Sequence, residues 1–332
     1  MLRLSSTVIN NSLIVSMDFM RRILLYSCLS VSFACLFLIR FESTASPFIS
    51  ELLDAGHIGV FFIFGWLLLP KISGDLKRRI SVLVLVTMIA SFTIEITQEL
   101  VGRAFEWLDI VRNYLGLGLG VALRSYFLTS VKSNRRRAIL ACLGLIVLIF
   151  LATNRLLQLA VGQVYFQINM PVLADFKHQF ETANWQGRYA KIRYTDAGLL
   201  VEADSTKKFS GAFFHDFPSN WSDYQNLHIN IHSRQPDVLS LTLKITDLEH
   251  ERGSHHYDER YNGKLSLLPG NNQFAIPLSV IQSAPKHRNL DMQQIKRLEL
   301  FLTDADDSDS FVIESLYLSR IPADDTSRRV TH

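Results

Sequence analysis

Cysteine is scarce in this sequence and is confined to the apolar first half. The chain of 332 residues has three cysteines, Cys28, Cys35 and Cys142, and each lies in a run of apolar residues. The polar second half has none. The sequence therefore predicts neither a disulfide framework nor a metal site built from thiolates.

A large excess of charge is also missing. The formal net charge is +3, from 34 lysines and arginines against 31 acidic residues. No basic patch is interleaved with aromatic residues, as phosphate-backbone binding would favour, so the sequence argues against nucleic acid as a partner. Glycine-rich phosphate loops, Ser-His-Asp spacing and nucleophile elbows are absent as well.

Apolar residues make up 48% of the chain, but they are unevenly distributed. The first half is apolar with basic islands, and the second half is polar and holds nearly all the histidines. This asymmetry predicts a membrane part followed by a soluble part. We predict an N-terminal cytoplasmic segment, a transmembrane bundle, a linker, an extracytoplasmic β-sandwich and a disordered tail, over residues 1–20, 21–156, 157–173, 174–320 and 321–332.

Five apolar runs are candidates for membrane-spanning helices, since a span needs roughly 17 to 20 apolar residues. They cover residues 23–39, 57–69, 80–101, 108–128 and 138–153. With the N-terminus inside, ten lysines and arginines fall in cytoplasmic segments and four in outer segments. This positive-inside bias predicts a multi-pass protein of a bacterial plasma membrane, with its C-terminal domain outside.

Charged and amide side chains occur in the last part of the third apolar run and just beyond it, in "SFTIEITQELVGRAFEWLDIVRNYLG" at residues 91–116. Glu95 and Gln98 are spaced to share one helix face, and Arg103 follows a turn at Gly102. Ionisable groups are costly in hydrocarbon, so their presence in a span favours a functional site. The structural alternative is that these groups pair among themselves to close a short outer loop.

The next apolar run carries a matching polar stripe. Asp109, Asn113, Gly116 and Gly120 share one helix face, and the two glycines permit close approach of another helix. His57 opens the second run from the same outer side. We expect these side chains and those of the preceding stretch to converge on an outward-facing cleft.

These motifs carry a resemblance to a known family. "GHIGVFFIFGWLLL" followed by "IEITQELVGRAFEWLDIVRNYLGLGLG" resembles the VanZ-like membrane proteins, over about residues 50–128. The matching positions are His57, Glu95, Gln98, Gly102, Arg103, Asp109, Asn113, Gly116 and Gly120. The usual aspartate stands four residues before the histidine, whereas Asp54 stands three before. The resemblance implies an envelope role, linked through the family's namesake to glycopeptide resistance, and supplies no reaction.

The second half alternates with period two, as strands with one buried face do. "LHINIH" places Leu227, Ile229 and Ile231 inward, and "LSLTLKIT" follows the same pattern. About eight or nine such strands favour a β-sandwich or jelly roll. The stretch "YDERYNGKLSLLPGNNQFAIPLSVIQSAPKHRNLDMQQIKRLELFL", with the later "FVIESLYL", resembles the galactose-binding-like jelly rolls that serve as carbohydrate-binding modules.

A sugar site needs aromatic rings for stacking and polar groups on a concave face. Sequence reasoning places His228, Asn230, His232 and Lys244 on the non-core face of neighbouring strands. The carbohydrate-binding candidates are Trp185, Trp221, His228, His232, Tyr257, Arg260 and Tyr261. The alternative is an ordinary solvated sheet face bordered by core aromatics.

Metal binding is weakly indicated. His255 and His256 are adjacent, so on a strand they would point apart, and no third ligand is placed by spacing. "TDADDSDS", with Asp304, Asp306 and Asp309, suits a solvated hairpin tip better than a structural calcium site, because it lacks the glycine and glutamate of an EF-hand loop. The sequence predicts no cofactor and no metal site.

Three functions follow from this reading. The first is an envelope protein whose polar cleft binds a lipid or glycan headgroup and whose outer domain binds carbohydrate. The second is a membrane enzyme acting on a lipid-linked glycan, with Glu95 as acid or base, His57 as proton shuttle and Arg103 stabilising negative charge. The third is a structural scaffold. The expected partners are the lipid bilayer and a lipid-linked or cell-surface glycan.

Overall fold

The computed structural model describes residues 46–100, 105–253, 255–306 and 309–320. The chain divides into two compact units. The described part of the helical unit runs over 50–154, and that of the second unit over 155–320 together with 46–49. The N-terminal segment 1–20, the first candidate span 23–39, the tail 321–332, Gly102 and Arg103 lie outside the described residues.

The helical unit is built from long helices that pack through narrow faces. On the second helix, the buried positions Leu83, Thr87, Ser91, Glu95 and Gln98 recur every three or four residues, so one stripe faces its neighbours. The rest of that helix leaves apolar side chains exposed. The helices are α1 (Pro47–Leu68), α2 (Leu76–Leu100), α3 (Trp107–Leu128) and α4 (Lys132–Ala152).

The structure corrects the expected number of spans. Among the described residues, Pro47–Lys71 and Leu76–Leu100 are long and apolar enough to cross a membrane, and Lys132–Ala152 passes only when counted together with Asn154–Ile168. The predicted fourth span, 108–128, is helical but is not among them. Its charged and amide residues, including Arg112, reduce its mean hydropathy. Within the described residues, which leave out the first candidate span at 23–39, two helices, or three with the joined pair, pass where four spans were expected.

Helices α1 and α3 lie unusually close together at two glycines. A Cβ atom on Gly116 would stand 2.2 Å from the carbonyl oxygen of Ile58, and one on Gly120 would stand 2.2 Å from that of Phe62. Any side chain larger than hydrogen would force the helices apart. This contact holds His57, on α1, against the polar face of α3.

The second unit is a sandwich of two antiparallel sheets, which confirms the predicted all-β class. One sheet has the order β3-β4-β11-β6-β9, with β1 paired to β11, and the other has the order β2-β5-β10-β7-β8. The helices are α5 (Asn154–Ile168), α6 (Leu248–Arg252) and α7 (Leu278–Gln282). The strands are β1 (Val172–Ala174), β2 (Trp185–Arg188), β3 (Ala190–Thr195), β4 (Gly198–Ala203), β5 (Phe209–Phe214), β6 (Asn226–Ser233), β7 (Leu239–Asp247), β8 (Tyr261–Leu267), β9 (Gly270–Pro277), β10 (Ile295–Thr303) and β11 (Ser310–Ser319).

The core lies between the two sheets. The inward residues predicted for β6, such as Ile229, are buried, and so are alternate residues of β7, such as Leu243. The predicted linker, 157–173, contains regular secondary structure. It forms most of α5 and begins β1, and Phe166 packs its ring 5.4 Å from that of Phe214 in the core.

The prediction that His228 and Lys244 lie on neighbouring strands is wrong. Strands β6 and β7 follow each other in the chain, but β6 pairs with β9 and β11 while β7 pairs with β8 and β10. His228 and Lys244 therefore belong to opposite sheets. The chain crosses from one sheet to the other between them, as sandwich connections often do.

Candidate functional site

The helical unit contains a buried cation surrounded by carboxylates. The guanidinium of Arg112 donates to Asp109 Oδ1 at 2.6 Å and to Glu51 Oε2 at 3.1 Å, and lies 3.6 Å from Asp54 Oδ2. Arg112 is itself buried, with 3% of its surface exposed. Its spacing of three residues from Asp109 on one helix was the sequence signal for this pair.

A chain of hydrogen bonds orients His57. Asn113 Nδ2 donates to Ser91 Oγ at 2.9 Å, which turns the amide oxygen toward His57 Nδ1, also at 2.9 Å. The other ring nitrogen, Nε2, lies 3.6 Å from Asp109 Oδ2. The polar groups of α1, α2 and α3 thus meet inside the helical unit.

Glu95 and Gln98 lie on the same buried stripe of α2. Glu95 Oε2 accepts the backbone N–H of Glu106, the residue just before α3, at 3.0 Å. This places a carboxylate at the positive end of α3. His57, Glu95 and Asp109 offer ligand atoms that all lie within 4.8 Å of one another, so this trio could hold a divalent metal ion.

The second unit has an open cleft of about 650 Å³ on the outer face of the five-stranded sheet. Its floor comes from β2, β5, β7 and β10, and its rim from the segments around α6 and before β8. The lining residues are Gly187, Arg188, Tyr189, Phe209, Phe213, Lys244, His250, Glu251, His255, Arg260, Arg297, Glu299 and Phe301.

Ion pairs hold most of the charged groups of this cleft. Glu299 accepts from Lys244 Nζ at 3.0 Å and from Arg188 Nη1 at 2.8 Å. Arg297 pairs with Glu251 at 3.0 Å. The cleft has four cationic side chains and two carboxylates, so it retains positive charge.

Burial and these contacts shift several pKa values in the cleft. Burial alone would raise the pKa of Glu299, but Lys244 and Arg188 outweigh it and hold that pKa below its ordinary value. Burial lowers the pKa of Lys244, and the attraction of Glu299 opposes part of that lowering. Burial also lowers the pKa of His250 to about 4, so this imidazole is neutral near pH 7.

Aromatic rings form the other part of the cleft surface. Tyr189 is 56% exposed and Phe209 is 38% exposed. Tyr189 and His255 have φ angles of 50° and 56°, which bulky residues rarely adopt. Such backbone strain concentrates at functional sites, and both residues line the cleft.

The structure corrects three of the predicted carbohydrate-binding residues. Trp185, Trp221 and Tyr261 are buried. Trp185 stacks on Phe214 with ring centroids 4.6 Å apart, inside the sandwich core. Their rings supply the apolar volume that the core needs, so none of the three presents a stacking surface.

The remaining candidates divide between the two sheets. Arg260 lines the cleft, and Tyr257 is exposed beside it. His228 and His232 lie on the other sheet, where His228 stacks on Tyr317 at 4.6 Å and His232 bonds to Asn271 at 2.6 Å. The role of β2, β5 and β10 in forming the cleft was not predicted. The alternation of apolar and polar residues along a strand does not show which strands are neighbours in a sheet.

The acidic hairpin between β10 and β11 forms a local turn. Asp306 donates its backbone N–H to Asp309 Oδ2 at 2.9 Å, and Asp307 lies outside the described residues. Within the described part of the chain, the residue groups with metal-ligand spacing all belong to the helical unit.

Comparisons with known proteins find likenesses in solved structures alone. No family model and no curated protein matches the chain, so the VanZ-like resemblance stays a prediction. The β-sandwich resembles the family 11 carbohydrate-binding module of Clostridium thermocellum in complex with a β-1,3-1,4-mixed-linked tetrasaccharide. The two are 16% identical over 45% of this chain and 94% of the module, with a TM-score of 0.34.

Two further likenesses are of the same kind. A family 29 module from Piromyces equi is 12% identical over 41% of this chain and 80% of that one, with a TM-score of 0.28. An exo-β-agarase is 17% identical over 46% of this chain, with a TM-score of 0.37. The chain spans 25% of that agarase's length. All three likenesses are at low sequence identity and at TM-scores below 0.5.

Proposed function

We propose that this chain is a membrane-held protein that binds a saccharide in the cleft of its five-stranded sheet. The observation that carries the proposal is the pairing of exposed rings, Tyr189 and Phe209, with fixed polar groups in one cavity of about 650 Å³. Sugar rings present apolar C–H faces to aromatic rings and hydroxyls to polar side chains. A cavity of this size lies within the usual range for ligand sites.

The polar groups of the cleft suit hydroxyl recognition. The ion pairs around Glu299 fix Lys244 and Arg188 in place, so their remaining N–H groups offer donors in set directions. The neutral imidazole of His250 can donate and accept hydrogen bonds. A fully apolar ligand would leave these groups without partners, which is energetically costly.

The helical unit supports a location at the membrane. In the part of the chain that the structure describes, two helices, or three with the joined pair, are long and apolar enough to cross it. A bacterial envelope would bring the β-sandwich to cell-wall or cell-surface glycans, and the VanZ-like resemblance supports that setting. A role in the response to glycopeptide antibiotics would follow from the same location.

The polar cluster of the helical unit favours a scaffold there over a catalytic centre. His57, Glu95 and Asp109 are buried, and Arg112 is held by Asp109 and Glu51. An acid or base acting on a lipid-linked glycan would need access to its substrate. Headgroup binding at this cluster stays a prediction, with Arg103 outside the described residues.

The test uses the full chain purified in detergent and a panel of polysaccharides covering β-glucans, xylans, galactans and hexuronans. We expect retention on at least one member, with Tyr189→Ala weakening it roughly tenfold, because stacking is worth about 1 kcal/mol or more. Tyr317→Ala, on the opposite sheet, is the matched control. Binding of no member, or equal loss in both variants, would contradict the proposal.

A further inference from the structure

Arg260 differs from the other cations of the cleft. Arg188, Lys244 and Arg297 each contact a carboxylate within 3.0 Å. Within the described part of the chain, no carboxylate lies within ion-pair distance of Arg260. Its buried Nε has no hydrogen-bond partner, which is also true of Arg297 Nε. The cleft therefore carries one guanidinium whose charge is not matched by a contacting anion.

The position of Arg260 connects the cleft to a second groove. It lines both the cleft and a neighbouring groove of about 500 Å³, whose walls include Tyr257, Asn262 and Lys286. The guanidinium carbon lies 5.2 Å from the ring centre of Tyr257, which is 66% exposed. The cation is thus held over an aromatic ring at the junction of two open surfaces.

The energetic cost of this arrangement points to an anionic ligand. Burial lowers the pKa of Arg260, which reflects the loss of water around its charge. Glu299 attracts it electrostatically, but already holds Lys244 and Arg188 by direct contact. A planar guanidinium with free donors binds carboxylate or sulfate oxygens in pairs, more strongly than it binds hydroxyls.

The other charged group of the groove is already paired, although the buried Oδ1 of Asn262 has no hydrogen-bond partner. Lys286 pairs with Asp258 at 2.8 Å, so its charge is already balanced. Asn262 donates to the backbone oxygen of Tyr257 at 3.4 Å. Arg260 is therefore the group at this junction with the most to gain from an anion.

From these contacts we infer that the ligand is an acidic saccharide chain that runs from the cleft into the groove and places a carboxylate or sulfate group on Arg260. This inference rests on the proposed saccharide-binding function and specifies its substrate class. The chain must be at least several sugars long, because it occupies two adjoining surfaces.

The experiment compares three oligosaccharides with the full chain in detergent by isothermal titration calorimetry. They are a hexuronate oligomer, the methyl ester of that oligomer, and a sulfated oligomer of similar length whose sugars carry no carboxylate. Esterification removes the charge and keeps the chain, so it isolates the anion. Arg260→Gln is compared with Arg193→Gln, which changes an exposed arginine on β3 paired with Glu202.

We expect the wild type to bind one of the charged oligomers at least tenfold more tightly than the ester, and Arg260→Gln to remove that preference. The charged oligomer that binds identifies the anion as carboxylate or sulfate. Equal binding of charged and esterified chains would overturn the inference while leaving saccharide binding intact. Unchanged preference in Arg260→Gln would also overturn it. No binding of any of the three, combined with no binding in the polysaccharide panel, would contradict the proposed function itself.

Discussion

Lys244 and Glu299 face each other on neighbouring strands, β7 and β10, with Nζ and Oε2 3.0 Å apart and both side chains buried. Arg188 holds the other carboxylate oxygen from β2, across β5. One carboxylate thus fixes two cations on the floor of the cleft. Because Glu299 holds both cations, the floor of the cleft is polar and its charged side chains are fixed in place.

Glu299→Gln removes the counter-charge of both cations. We expect a loss of about 3 kcal/mol in the free energy of unfolding, because breaking a buried pair leaves charge uncompensated. Chemical denaturation of the full chain, followed by tryptophan fluorescence, measures it. Glu202→Gln breaks an exposed pair with Arg193 and should cost less than about 1 kcal/mol. Equal losses in the two variants would show that the ion pairs of Glu299 stabilise the fold no more than an exposed pair does.

Acid should destabilise the β-sandwich through buried histidines. Burial, with the nearby charge of Arg297, lowers the pKa of His215 to about 3, whereas an unfolded histidine titrates near 6.5. The unfolded state therefore takes up the proton first. The stabilisation is complete above pH 6.5 and is lost as pH falls toward 3, by up to about 1.4 kcal/mol per pH unit.

Unfolding measured between pH 7 and 5 tests this, with His215→Asn expected to flatten the slope. His250, with its pKa lowered to about 4, also makes the protein less stable as pH falls. Part of the slope should therefore remain in His215→Asn. His256→Asn, at an exposed position, is the control and should leave the slope as in the wild type. A slope unaffected by His215→Asn would contradict the assignment.

The close contact of α1 and α3 depends on glycine. Gly120→Ala would place a methyl group 2.2 Å from the carbonyl oxygen of Phe62, so we expect a loss of about 1–3 kcal/mol from overpacking. Gly144→Ala, on α4, meets nothing within 4 Å and should cost nothing. Thermal unfolding followed by helical circular dichroism separates the two. A stable Gly120→Ala protein would mean that the helices can move apart freely.

Arg112 holds the polar cluster of the helical unit together. Arg112→Gln leaves Asp109, Glu51 and Asp54 without their shared cation, so we expect a loss of about 3–5 kcal/mol, seen as a large fall in Tm. Arg78→Gln changes an exposed arginine of α2 and should leave Tm nearly unchanged. Similar effects in both variants would rule out a structural role for the cluster.

Much of the fold could be predicted from local pattern. The alternation along β6 and β7 predicted which residues are buried, because the side-chain period of a strand is fixed by geometry. The polar stripe of α2 and α3 was visible for the same reason, as helical spacing places Glu95 beside Gln98.

Tertiary arrangement could not be predicted in this way. Strand order places Lys244 beside Glu299 and separates it from His228, and no local pattern encodes that pairing. Trp185 and Trp221 were chosen as ring surfaces, but the core buries them because large apolar rings stabilise most when removed from water. The spacing of Arg112 from Asp109 indicated that the two could pair, but not that Arg112 is buried. Its burial depends on Glu51 and Asp54 of another helix, which the local sequence does not show.

The central claim is that the cleft of the five-stranded sheet binds saccharide, and hydrogen–deuterium exchange of the full chain with and without the hexuronate oligomer tests it most directly. We predict slower exchange in segments 187–189, 209–213 and 255–260, with no change along β6 on the opposite sheet. Slower exchange confined to β6, or to the separate groove lined by Trp221 and Met292, would contradict the account.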